Sequence, residues 1–186
     1  MVPQSLRYAV LSLLWLAVAA CGDGGDIEVT SAGEGYPEQE TEVYHTRQTR
    51  AGVPVWELWG DRAESYPGEN TMLLHGVRMH FYQDGERAAV LTAESAVVDQ
   101  QTEFTTASGD VVVVNKDGDR LESEVLNWDP SAQSIETEEF VEFTRGDQIL
   151  TGYGMDTDPE LANVRIHRQF QGDLPATSEA EEAEGR

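Results

Sequence analysis

Val77, Met79 and Phe81 alternate with Arg78 and His80, a period of two along the chain. Successive side chains of an extended strand point to opposite faces, so this pattern predicts a strand buried on one side. The alternation recurs downstream, but its phase changes. In residues 91–99 (LTAESAVVD), Leu91 and Ala93 share one face while Ala96 and Val98 share the other. In residues 121–129 (LESEVLNWD), Leu121 lies on the first face, and Leu126 and Trp128 lie on the second. A flat, half-buried strand keeps its apolar residues on one side. A strand that bends or bulges out of one packed sheet into another changes side midway. Each of these phrases therefore predicts one long strand shared between two sheets.

Turn signals separate the strands. Asp84-Gly85 and Asp117-Gly118 stand between apolar runs, and Asp-Gly pairs accept the positive φ that tight hairpins require. Arg145-Gly146-Asp147 is expected to close a third hairpin. The leucine-to-aspartate phrase returns at residues 150–158 (LTGYGMDTD), and Gly109-Asp110-Val111 is answered by Glu139-Phe140-Val141 thirty positions later. That spacing is typical of stacked supersecondary units. Helical periodicity is almost absent. The expected fold is all-β: a twisted antiparallel β-jellyroll of two splayed sheets, built from repeated long hairpins.

The ends read differently. Residues 8–20 are apolar, follow Arg7 and stop at Val18-Ala19-Ala20-Cys21. The run is too short for a spanning helix, which needs about 20 residues. Residues 1–20 are expected to be a lipoprotein signal peptide, with Cys21 lipidated and serving as a membrane tether. A plain signal peptide and a short uncleaved anchor remain alternatives. Residues 21–42 read as a flexible acidic linker, 43–172 as the folded domain, and 173–186 as a disordered acidic tail.

Charge narrows the function classes. The 186-residue chain has 35 Asp and Glu against 12 Lys and Arg, a net charge of -23. A nucleic-acid binder needs a basic footprint, so that partner is excluded, as is charge-driven adhesion to an anionic membrane. The single cysteine permits no internal disulfide. The histidines are scattered without zinc spacing. Asn115-Lys116-Asp117-Gly118-Asp119-Arg120 resembles part of a calcium loop, but Arg120 stands where glycine is required, and a hairpin turn explains it better. No nucleophile elbow or phosphate loop is present, and the chain is read as a non-enzyme without cofactors.

A family resemblance is carried by WELWGDRA (residues 56–63), VRMHFYQDGERAAVLTAESAVVD (77–99), GDVVVVNKDGDRLESEVLNWD (109–129) and IETEEFVEFTRGDQILTGYGMD (135–156). In this order they resemble the LptC family of lipopolysaccharide export proteins and, more distantly, LptA. The resemblance implies a periplasmic jellyroll, anchored to the inner membrane, with an apolar interior. It would accept lipopolysaccharide from the jellyroll of the LptBFG transporter and pass it to LptA through edge-to-edge strand addition. An LptA-like bridge subunit and a structural or carbohydrate-binding lipoprotein with a closed core are the alternatives.

On this reading the groove candidates are Val77, Met79, Phe81, Leu91, Val111, Val113, Leu121, Val125 and Phe143. Taken from the residues alone, a closed core is the favoured reading of the same set, and the resemblance is what raises the groove reading. The edge expected to meet LptA lies within residues 148–172, with Gly152, Val164 and Ile166 as candidates. Gly152→Arg would then weaken LptA capture with little effect on stability, unless the glycine only serves a bulge. Residues 55–60 are expected to face the transporter.

Overall fold

The computed structural model describes residues 36–173. These form nine strands: β1 (Gln39–Arg50), β2 (Val53–Ser65), β3 (Thr71–Gln83), β4 (Glu86–Asp99), β5 (Thr105–Asn115), β6 (Arg120–Asp129), β7 (Ser134–Arg145), β8 (Gln148–Thr157) and β9 (Arg165–Asp173). All pair antiparallel in sequential order in a single sheet, and the described residues contain no helix. The first strand starts at Gln39, so four residues assigned to the acidic linker belong to the sheet. The signal segment, Cys21 and the tail beyond Asp173 lie outside the described residues.

The expected turns are in place. Asp84 and Gly85 both take positive φ (52° and 82°) between Gln83 and Glu86, the hairpin conformation in which strand twist and turn twist agree. Asn115 organises the β5–β6 turn: its Oδ1 accepts from the backbone N–H of Asp117 and of Asp119, at 3.0 and 2.9 Å. These side-chain bonds account for the Asn-Asp-Asp spacing.

A crease crosses the sheet at mid-strand. On β3 the buried residues pass from Leu74 to Val77, Met79 and Phe81; on β4 from Leu91 to Ala96 and Val98; on β6 from Leu121 to Leu126 and Trp128. The buried positions thus change parity, as the sequence pattern requires. The intervening strands keep parity by holding one extra residue. Between Ser108 and Val111, β5 advances three residues while β6 advances two, and β7 does the same against β8 between Thr137 and Phe140. Gly109 marks the crease on β5 with φ 81°, and a Cβ there would lie 2.7 Å from Glu94 Oε2. Only a residue without a side chain fits beside Glu94 in that backbone conformation.

The crease brings the two ends of the strands together. Phe81, beyond the crease on β3, packs edge-on against Trp128 from the opposite half of β6, with ring centroids 4.9 Å apart. Leu74, Met79, Val113, Leu126, Ile135, Phe143 and Met155 fill the space between at no more than 1 % exposure. Each such burial stabilises the fold by roughly 1.5–3 kcal/mol relative to exposure. The β8–β9 connection closes one end. Leu161 is fully buried, the Arg145 guanidinium donates to its carbonyl, and Arg145 Nε donates to Asp119 Oδ2 at 2.8 Å. Asn115 Nδ2 adds a bond to the Glu160 carbonyl at 2.9 Å.

Candidate lipid groove and sheet edges

Eight of the nine groove candidates are gathered in one apolar cluster, each at most 4 % exposed: Val77, Met79, Phe81, Leu91, Val111, Val113, Leu121 and Phe143. Val125 is half-buried and lies outside that cluster. It shares the parity of Leu121, but it stands past the crease, where the buried parity has reversed.

The cluster residues are each at most 7 % exposed, and among the described residues two clefts border them. The larger, about 760 Å³, lies between the hairpin end of β1–β4 and the far ends of β6 and β8. Val53, Val55, Phe81 and Trp128 supply its apolar wall, and Arg50, Asp84, Asp158 and Glu160 its polar rim. Burial pushes the Glu160 carboxyl up, and the neighbouring Asp158 adds to the rise. The buried Trp128 indole N–H has no hydrogen-bond partner among the described residues. The smaller cleft, about 320 Å³, exposes parts of Trp56, Leu58, Met72 and Val98 beneath Tyr44 and Thr46 of β1. Both volumes lie within the range of small-ligand pockets, about 300–1,000 Å³.

β1 carries no apolar alternation that announces a strand. Its residues are polar, QETEVYHTRQTR, and only Tyr44 and Thr46 are half-buried. Its anchorage comes from partners on other strands. Glu57 on β2 is 3 % exposed, accepts a 2.7 Å bond from the Tyr82 hydroxyl, and pairs with Arg47 of β1. Burial raises the Glu57 carboxyl, but the Tyr82 bond and the Arg47 charge outweigh it, and the net shift is downward. His45 of β1 stacks on Trp59 with ring centroids 4.8 Å apart.

Among the described residues, the sheet ends at β1 on one side and β9 on the other. Residues 55–60 lie on β2 and are covered by β1. Gly152 is on β8, flanked by β7 and β9, and is therefore one strand in from the edge. A Cβ at Gly152 would stand 2.4 Å from Ile166 Cγ2 and 2.8 Å from the Arg168 carbonyl. This glycine admits the β9 backbone, and the expectation that Gly152→Arg leaves stability unchanged is corrected accordingly. Ile166 is on β9 and Val164 just before it; both are half-buried against the core.

A family model described as lipopolysaccharide assembly, LptC-related, matches residues 9–174. The chain belongs to the LptC-related family. Its members are non-enzymatic components of periplasmic lipopolysaccharide transport. Among solved structures the chain is similar to LptH, described as the LptA homologous periplasmic component of the conserved lipopolysaccharide transport device from Pseudomonas aeruginosa. The TM-score is 0.51 at 11 % identity, over 64 % of this chain and 94 % of that one. At that identity the likeness is one of fold. No curated protein matches the chain. The nine-stranded antiparallel sheet is consistent with the jellyroll of LptA and LptC proteins.

Proposed function

We propose that this LptC-family chain carries lipopolysaccharide through its interior, accepting it from the LptBFG transporter and handing it to LptA. The supporting observation is the continuous apolar cluster between the two halves of the creased sheet, open at clefts beside Phe81 and Trp56. Exposing acyl chains to water costs about 0.8 kcal/mol per CH2, so transit demands an unbroken apolar path. On this reading the fold is a jellyroll of two splayed sheets, and the lipid enters by widening the seam. The Cys21 lipid anchor holds the domain at the inner membrane. LptA pairs with the free edge of β9, while β1 faces the transporter jellyroll.

A photoreactive phenylalanine analogue at Phe81 tests the groove. Illumination in cells is expected to give a lipopolysaccharide adduct from Phe81 and none from Val112. A folded, expressed protein that labels at neither position has a closed core, and the carrier reading then fails.

A further inference from the structure

Phe140 of β7 and Tyr153 of β8 stand directly opposite each other in the sheet register and pack edge-on, with ring centroids 5.4 Å apart. Their chain neighbours Val141 and Gly152 are buried, so both rings lie on the face turned away from the core. They are 47 % and 43 % exposed. Ile149, four residues before Tyr153 and on the same face of β8, is exposed as well. Single apolar residues scattered over a surface need no explanation, but a cross-strand aromatic pair with a cleft on either side does. The cleft beside Phe140 is about 560 Å³ and has Val112 in its wall. The cleft beside Tyr153, about 390 Å³, lies against the Glu138–Arg168 ion pair.

Two separate features of this face call for the same ligand chemistry. Exposed aromatic rings attract a cation over their π surface. Five carboxylates line the cleft beside Phe140, those of Asp110, Glu122, Glu124, Glu139 and Glu142, against the single arginine Arg120. Arg120 is committed to Glu122 at 2.7 Å, and Glu142 stands directly opposite Glu122 on the next strand, where like charges repel. Asp110, Glu124, Glu139 and Glu142 form no ion pair among the described residues. Arg168 is held by Glu138, and no described guanidinium lies over either ring. Among the described residues the acids do not converge as metal ligands would, so a bare metal ion does not fit. A larger organic cation does. Arginine suits the face best, because its planar guanidinium stacks on a ring while its forked N–H groups reach carboxylates. Arginine and aromatic side chains are also the residues enriched at the centres of protein interfaces.

We propose that the outer face of β7 and β8 docks an arginine-bearing segment of a partner protein. The guanidinium lies over the Phe140–Tyr153 pair, with its N–H groups toward the carboxylates of the adjoining cleft. This surface is separate from the apolar interior and from the strands that end the sheet, and it does not rest on lipid carriage.

The test titrates the full chain with an acetylated, amidated peptide of alternating arginine and leucine, and follows the backbone amides by NMR at physiological salt. Saturable shifts are expected at Phe140, Glu142 and Tyr153, and none with the glutamate–leucine counterpart. Phe140→Ser combined with Tyr153→Ser leaves every charge in place and should weaken binding about tenfold. Glu139→Gln combined with Glu142→Gln keeps both rings and should weaken it as well, which decides the matter if the serine variant does not fold. Shifts spread over the acidic surface, or an affinity unchanged in a folded variant, show attraction by net charge alone and overturn the site. A chito-oligosaccharide that shifts Phe140 and Tyr153 where the arginine peptide does not makes the rings a sugar platform, and overturns it too. The Phe81 crosslink is unaffected by any of these outcomes, so the carrier reading is judged independently.

Discussion

Gly152 shows how one side chain can determine an edge. With Ile166 Cγ2 and the Arg168 carbonyl where a Cβ would go, Gly152→Ala forces β9 outward. Overpacking of this kind costs typically 1–3 kcal/mol. The thermal midpoint should fall, and if β9 is the edge that pairs with LptA, as proposed, capture should weaken in parallel because β9 has moved. Unchanged stability in this variant would mean that β9 tolerates the shift. Leu161 is the converse case. It is fully buried in the β8–β9 connection, so Leu161→Ala should cost about 2–5 kcal/mol, read from denaturant unfolding. Glu57 supplies a pH dependence. Its folded-state pKa is lowered, so its contribution is present above the unfolded value of about 4.3 and is lost as pH falls through the folded value. The melting temperature of the parent should therefore exceed that of Glu57→Gln at pH 7, and the gap should narrow below about pH 4.3. A gap that widens in acid would contradict the assignment.

At the scale of elements, the strands divide by what holds them. β5 carries Val111 and Val113 into the core with no exposure, whereas β1 depends on Tyr44, the Arg47–Glu57 pair and the His45–Trp59 stack. Amide exchange should consequently be fastest in β1, and Arg47→Ala should accelerate β1 alone. Uniform protection across β1 and β5 would show that the sheet opens only as a whole. The same contrast explains what the sequence disclosed. The crease was legible because apolar residues on β4 and β6 change parity, and side-chain parity is a direct record of burial. The extra residues on β5 and β7 were not legible, since a bulge that preserves parity leaves no trace in the alternation. Val125 was misplaced for the related reason that its parity was carried across the crease. β1 escaped because its order comes from partners on β2 and β3, which a polar sequence does not advertise.

At the scale of the whole molecule, the apolar cluster serves as both stabilising core and proposed conduit, and these roles conflict. A core at zero exposure stabilises the fold, while a conduit must let its walls part. On the proposed reading that separation starts at the clefts beside Val55 and Trp56. Among the described residues the sheet ends at β1 and β9, which on that reading give the path two ends. Spin labels in a Cys21→Ala background test this directly, at Val55 and Leu150 on the inner side and at Val112 and Thr92 on the outer side. Added lipopolysaccharide should slow the inner labels and leave the outer ones unchanged. Equal behaviour of the two sets, or no change in either while lipopolysaccharide is demonstrably bound, would contradict carriage through the interior.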